Sequence, residues 1–121
     1  MTEKNIFLLE DDPDIQACIK HILSKRGYTV LAFETVNDFN KQLQAGAPDL
    51  FIMDISLPDG NGINVCKELA NDDGLSLVPV LLMSADIFNQ KKAAQAGIPH
   101  FISKPFELSY FLNRVEDLLA A

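Results

Sequence analysis

The chain has 121 residues, 48% of them hydrophobic, which suffices for one compact domain and is too short for two. Lys and Arg number 10 against 17 Asp and Glu, and the resulting net charge of −7 disfavours direct binding to nucleic acid or anionic membranes. No apolar run approaches the roughly 18 residues of a membrane span, and no signal peptide is recognisable. We therefore expect a single cytoplasmic domain over residues 1–121.

Short apolar runs alternate with amphipathic segments, the pattern expected of βα units. The runs that predict strands are residues 6–9, 30–33, 50–53, 78–83 and 101–102. Apolar residues at helical spacing predict helices over residues 15–23, 36–43, 63–69 and 107–119. The alternating pattern places a further helix between Ser84 and Gly97. Glycines at 27, 46 and 97 are expected helix stops, and Thr35 or Asn37 is an expected cap of the second helix.

Five strands and five helices in strict alternation predict an α/β fold with a doubly wound parallel sheet, because right-handed crossovers place helices against the sheet faces. Sites in such folds lie beyond the carboxyl ends of the strands. Polar residues follow the predicted strands at that edge. They are Glu10, Asp11 and Asp12 after the first strand, Asp54 after the third, Ser84 after the fourth and Lys104 after the fifth.

The chemistry of these side chains suits phosphoryl transfer. Clustered carboxylates repel one another, and a hard divalent cation such as Mg²⁺ or Mn²⁺ relieves that repulsion. A carboxylate facing such a cation can attack a phosphoryl group. Lys104 adds a further positive charge, and the Ser84 hydroxyl can donate to a phosphoryl oxygen.

Four motifs resemble the receiver domains of two-component response regulators. They are Leu-Leu-Glu-Asp-Asp at 8–12, Asp-Ile-Ser-Leu-Pro-Asp-Gly-Asn-Gly at 54–62, Met-Ser-Ala at 83–85 and Ser-Lys-Pro-Phe at 103–106. The spacing between the motifs agrees with that family as well, over essentially the whole chain. The resemblance implies a flavodoxin-like five-stranded sheet with strand order 2-1-3-4-5 and a signalling function rather than an enzyme's turnover of a separate substrate.

The resemblance also implies how phosphate and metal are bound. Asp54 is then the phospho-acceptor, and Lys104 is the lysine that balances its charge. Asp11, Asp54 and the backbone carbonyl of Ser56 are implied ligands of Mg²⁺ or Mn²⁺. Glu10 is implied to act on the metal through water.

A switch and two partners follow from the same resemblance. Ser84 is expected to move toward the phosphoryl group and Phe101 to turn with it, which changes the face formed by the fourth helix, fifth strand and fifth helix.

The phosphoryl donor is expected to be a sensor histidine kinase or a histidine phosphotransfer protein, and an effector domain or protein is expected downstream. The first helix is unusually apolar, and a second hypothesis is that Ile15, and with it Cys18, lies exposed beside the acidic cluster and contacts the donor. The bond before Pro105 is implied to be cis.

Two other functions remain open at this stage. Asp12-Pro13-Asp14 superficially resembles the Asp-x-Asp of Mg²⁺-dependent haloacid-dehalogenase-type phosphohydrolases, although that interpretation leaves Asp54 unexplained. The other possibility is a receiver-like interaction module that is not phosphorylated. The segment between Ser84 and Gly97 is a couple of residues shorter than is usual in the family, which affects the expected output face.

Several residues also have plainer interpretations when taken singly. Asp11 or Asp12 before Pro13 is a common helix cap. Phe101 on a predicted strand is equally suited to simple core packing. Both cysteines, Cys18 and Cys66, lie in apolar periodic segments and are expected to be reduced and buried.

Overall fold

The computed structural model describes residues 3–120. The strands in that range are β1 (Asn5–Leu9), β2 (Thr29–Phe33), β3 (Leu50–Asp54), β4 (Ser56–Leu57), β5 (Gly60–Asn61), β6 (Val80–Ser84) and β7 (Phe101–Ser103). The helices are α1 (Pro13–Lys25), α2 (Val36–Leu43), α3 (Gly62–Ala70), α4 (Ile87–Gln95) and α5 (Leu108–Ala120). None of these helices combines the length and apolarity needed to cross a bilayer.

The main sheet is parallel, with strand order β2-β1-β3-β6-β7. Strands β4 and β5 form a separate antiparallel ladder, so the five sheet strands follow the expected 2-1-3-4-5 order and the predicted fold class is confirmed. The fourth sheet strand begins at Val80 rather than at residue 78, and Pro79, just before it, has no N–H to donate to a ladder. It continues to Ser84, which pairs with Ser103 of β7.

Each face of the sheet is covered by its own hydrophobic cluster. Ile6 and Leu8 of β1 point to the cluster that includes residues of α1 and α5. Phe7 and Leu9 point to the other cluster, which includes residues of α2, α3 and α4. Because successive side chains of a strand alternate between faces, burial on both sides requires the uninterrupted apolar runs seen in the sequence.

Helix boundaries follow local capping. Thr35 is the N-cap of α2, as expected, and its side chain accepts a hydrogen bond from the backbone N–H of Asp38, so Asn37 is not the cap. Positive φ angles of 89° at Gly27 and 78° at Gly97 let the chain turn away after α1 and α4. The Lys104–Pro105 bond is cis, as the resemblance implied.

The expectation that both cysteines are buried is wrong for Cys18, and the competing hypothesis that Cys18 is exposed is confirmed. Cys66 is buried in α3, but Cys18 is exposed. The two α1 side chains that are fully buried are Ile19 and Leu23. Cys18 precedes Ile19, so it lies about 100° around the helix from the buried stripe and faces outward.

We expect Leu50→Ala to lower the free energy of unfolding by about 2–5 kcal/mol, because Leu50 is fully buried and its truncation leaves a cavity. Leu77→Ala is the matched control, since the Leu77 side chain is 95% exposed. We expect the control to change stability by no more than about 0.5 kcal/mol. Urea denaturation followed by circular dichroism measures both, and equal effects would contradict this assignment of the core.

Candidate functional site

An acidic cluster lies at the carboxyl edge of the sheet, where β1 and β3 end side by side. Glu10 and Asp11 follow β1, and Asp54 is the last residue of β3. Carboxylate oxygens from these three residues all lie within 4.8 Å of one another. Three of the four acids that the sequence places at this edge are therefore together, and Asp12 is not among them. Asp11 is exposed, whereas Glu10 and Asp54 are buried.

Lys104 joins the two buried acids. Its Nζ atom lies 2.8 Å from Oδ2 of Asp54 and 2.5 Å from Oε1 of Glu10. The lysine reaches them because it follows β7, where its backbone N–H donates to the carbonyl of Ser84 at 2.9 Å. The Glu10 side chain is fully buried, and those of Lys104 and Asp54 are 14% and 13% exposed. The ion pairs are thus shielded from solvent.

The charges of this trio depend on one another. Burial raises the pKa of Glu10 to about 7; the hydrogen bond from Lys104 opposes that rise, and the neighbouring Asp54 adds to it. Burial on its own lowers the pKa of Lys104, but the hydrogen bonds to Asp54 and Glu10 outweigh it and leave that pKa raised. Burial and the neighbouring Asp54 therefore disfavour the charged form of Glu10, and Lys104 favours it.

One buried oxygen of the cluster has no hydrogen bond. Among residues 3–120, Oε2 of Glu10 is buried without a hydrogen-bond donor in reach. A buried acceptor of this kind is costly unless a cation or a water molecule contacts it. With Asp11 and Asp54 beside it, the donor set is made of oxygens, which fits Mg²⁺ or Mn²⁺.

Asp12 has a separate, local role. Its side chain accepts hydrogen bonds from the backbone N–H groups of Asp14 and Ile15, at 2.9 and 3.2 Å, and it is the N-cap of α1. It is not part of the acidic cluster. The capping interpretation is confirmed for Asp12, and the phosphohydrolase hypothesis, which needs Asp12 at the reacting centre, has no geometric support.

The segment after Asp54 packs tightly against strand β3. The N–H of Ser56 points to Oδ1 of Asp54 at 3.4 Å, and the N–H of Gly62 donates to the carbonyl of Ile55 at 2.8 Å. A Cβ atom at position 62 would lie 2.4 Å from the carbonyl oxygen of Asp54, which only glycine avoids. Sequence reasoning treated this segment as a possible plain loop and missed that contact.

Asp59 connects the same segment to α2. Its two carboxylate oxygens accept hydrogen bonds from the backbone N–H groups of Val36 and Asn37, at 2.8 and 3.0 Å. These hydrogen bonds lower the pKa of Asp59. The sequence pattern marked Asp59 as a turn residue, and nothing in it indicates a cap for a helix more than twenty residues earlier.

The remaining candidate residues lie around this centre in different environments. Ser84 is buried at the end of β6. Its Oγ accepts hydrogen bonds from the side chain of Asn89 and from the N–H of Asp86. Asn89 was not among the residues singled out from the sequence. Phe101 is half-buried and packs against the cluster on the α2, α3 and α4 side. Ile15 is half-buried and packs against the opposite cluster. The roles proposed for these residues stay predictions.

The fold and the acid–lysine arrangement define the class of protein. The sequence model of the response regulator receiver domain matches residues 6–116. The chain therefore belongs to the response regulator receiver domain family, which is a family of signalling modules of two-component systems.

Individual relatives agree with this assignment. The chain is 33% identical over 116 residues to the transcriptional regulatory protein YvcP of Bacillus subtilis, a match that covers 94% of this chain and 48% of that protein. A receiver domain of a signal transduction histidine kinase from Syntrophus aciditrophicus is 28% identical, with a TM-score of 0.89 and coverage of 97% and 90%. The receiver domain of the sensor histidine kinase PA1611 from Pseudomonas aeruginosa shares the fold at 22% identity, with a TM-score of 0.89 and coverage of 99% and 100%. The chain thus spans about half of the curated relative and nearly all of the isolated receiver domains.

We expect Lys104→Met to lower the free energy of unfolding by about 3 kcal/mol, because it leaves the carboxyl groups of Glu10 and Asp54 buried together without a counter-charge. Lys20→Met, at an exposed position of α1, is the control and should have little effect. The double variant Glu10→Gln/Lys104→Met should recover most of the loss, because one of the two uncompensated acids is gone. Chemical denaturation at pH 7 measures all three, and a stable Lys104→Met variant would contradict this account.

The lowered pKa of Asp59 implies stability that is present above the ordinary carboxyl pKa of 3.8 and is lost as pH falls through the lower folded-state value. Wild-type protein should therefore melt at a higher temperature than Asp59→Asn at pH 7. The difference should shrink as the pH falls below about 4. Melting curves between pH 3 and 7 measure it, with Asp73→Asn, an exposed aspartate in the segment between α3 and β6, as control.

Proposed function

We propose that this chain is a phospho-acceptor receiver domain in which Asp54 takes a phosphoryl group from a phosphohistidine of a partner. The observation that carries the proposal is the position of Asp54, at the end of the central strand β3, 2.8 Å from Lys104 and beside Glu10 and Asp11. A nearly buried carboxylate surrounded by two acids and one lysine is an arrangement that stability alone does not favour.

Mg²⁺, or Mn²⁺ in its place, is the proposed cofactor. Asp11, Asp54 and the carbonyl of Ser56 would hold the ion, with Glu10 acting through water. The clustered oxygens and the unpartnered Oε2 of Glu10 support this choice. The similarly folded PA1611 receiver domain has a magnesium ion in its active site cleft. When bound, the ion supplies charge neutralisation for the attacking carboxylate and for the phosphoryl oxygens.

The transfer itself makes one bond and breaks one. A carboxylate oxygen of Asp54 forms a bond to phosphorus, the bond between phosphorus and the histidine nitrogen breaks, and that nitrogen keeps the electron pair. Lys104, already at hydrogen-bond distance from Asp54, balances the charge of the transferred group. Ser84 donates its hydroxyl hydrogen to a phosphoryl oxygen. The product is an aspartyl phosphate.

The proposed partners follow from this chemistry. The donor is a sensor histidine kinase or a histidine phosphotransfer protein, and Ile15 and Cys18 are proposed to contact it; Cys18 is exposed and Ile15 is half-buried beside the acidic end of α1. The output passes to an effector through the face of α4, β7 and α5. Phe101 has no hydroxyl, so it takes part in that output by packing. Residues 1–121 are proposed to act as one domain.

Incubation with acetyl phosphate and Mg²⁺ tests the function. We expect the intact mass of the wild-type chain to rise by one phosphoryl group, and no rise to occur when a chelator is present from the start of the incubation. Asp54→Asn should show no rise, because the accepting carboxylate is gone. Asp12→Asn is the matched control, since Asp12 only caps α1, and it should be phosphorylated like wild type.

The two earlier alternatives give different results. A phosphohydrolase that uses Asp12 would lose activity in Asp12→Asn and keep it in Asp54→Asn. A receiver-like module without phosphorylation would show no mass increase in any variant, including wild type. Either outcome would refute Asp54 as the phospho-acceptor.

A further inference from the structure

Asn89 is a buried polar residue that the proposed transfer reaction leaves without a role. Among residues 3–120, the buried polar side chains are Glu10, Asp54, Ser84 and Asn89. The first three belong to the proposed phosphorylation site. Asn89, only 8% exposed, lies in the first turn of α4 and donates from Nδ2 to Oγ of Ser84 at 2.9 Å.

Capping does not explain this side chain. The N-cap of α4 is Asp86, whose carboxylate accepts the backbone N–H of Phe88 at 2.9 Å. The backbone N–H of Asn89 is bonded to the carbonyl of Asp86. The side-chain amide of Asn89 therefore does not cap α4, and it donates to the hydroxyl of Ser84 instead.

Two donors fix the position of the Ser84 hydroxyl. A serine oxygen accepts two hydrogen bonds and donates one. Here the acceptor positions are taken by Nδ2 of Asn89 at 2.9 Å and by the backbone N–H of Asp86 at 3.0 Å. Rotation of the side chain to another staggered position moves Oγ by about 2 Å, which breaks both bonds.

We propose that Asn89 is a positioning residue that holds Ser84 in its resting orientation and that this hydrogen bond must be released before Ser84 can reach a phosphoryl group on Asp54. The inference rests on the proposed function and adds to it the residue that sets how readily Ser84 responds. Because a hydrogen bond present only in the resting state opposes the active one, its loss shifts the population toward the active state.

The hydrogen bond between Asn89 and Ser84 also connects the proposed phosphorylation site to the protein surface. Asn89 shares the first turn of α4 with Ile87 and Phe88, which are 76% and 70% exposed. The backbone carbonyl of Ser84 accepts a hydrogen bond from the N–H of Lys104. Its side-chain oxygen accepts one from Asn89 of α4. Ser84 therefore lies between the lysine at the proposed phosphorylation site and the helical turn that carries these two exposed apolar side chains.

Binding of beryllofluoride, a phosphoryl mimic, in the presence of Mg²⁺ tests the proposal by ¹⁹F NMR titration. We expect Asn89→Ala to bind it about three- to tenfold more tightly than wild type, as expected for the loss of one hydrogen bond that stabilises the resting state. Asn89→Asp should bind it more weakly, because a carboxylate accepts the hydroxyl hydrogen of Ser84 that the phosphoryl group needs. This variant is nearly isosteric, and an acid in the first turn of a helix is favourable, so it should fold.

A double-mutant cycle separates this role from a structural one. In a Ser84→Ala background, Asn89→Ala should have no further effect on beryllofluoride affinity, because the hydroxyl that it positions is absent. A change of the same direction in Asn89→Ala and Asn89→Asp, or additive effects with Ser84→Ala, would overturn the proposal. So would unchanged affinity in a folded Asn89→Ala variant.

The results differ if it is the proposed phosphorylation, rather than the role of Asn89, that is wrong. If wild-type protein gives no bound fluoride signal and no mass increase with acetyl phosphate, the phosphorylation site itself is refuted and the role of Asn89 falls with it. If wild-type protein binds beryllofluoride and only the Asn89 variants depart from expectation, the phosphorylation site stands and the positioning role alone is rejected.

Discussion

The ion pairs of Lys104 with Glu10 and Asp54 join parts of the chain that follow three different strands. Glu10 follows β1, Asp54 ends β3 and Lys104 follows β7, so the pairs form only when β1, β3, β6 and β7 are in register. The same pairs are not an efficient source of stability. Buried charges lose much of their hydration, and apolar side chains of similar size often stabilise a protein as well or better. The arrangement is thus better explained by the chemistry of this edge than by folding.

The stability that permits such a site comes from the rest of the sheet. Side chains of β1 and β3 are buried on both faces, and the helices cover two separate clusters. Burial of a large apolar side chain contributes about 1.5–3 kcal/mol, and more than twenty hydrophobic residues are buried here. A costly group of charges at one edge is therefore tolerated, because most of the hydrophobic contacts lie away from it.

The sequence was informative where a feature depends on pattern and connectivity. Strands buried on both faces need continuous apolar runs, so residues 6–9 and 50–53 predict strands, and parallel connections bring the ends of those strands together. Residue patterns were less informative where side-chain direction decides a contact. Asn89 and Asp59 look like ordinary helix and turn residues, and their partners, Ser84 and the start of α2, are known only after the elements have packed. Cys18 was placed inside because its neighbours are apolar, but its angle around α1 directs it outward.

The close approach of Gly62 to the carbonyl of Asp54 limits movement of the backbone at the end of β3. With α3 starting directly against the carbonyl of Asp54 and the strands β1 and β6 paired on either side of β3, the main chain at Asp54 is packed on three sides. Under the proposed function, a phosphoryl donor must therefore adapt to a carboxylate whose backbone position is fixed. The changes that the proposed function requires are then those of side chains and of α4, and the central strand β3 is the fixed reference for them.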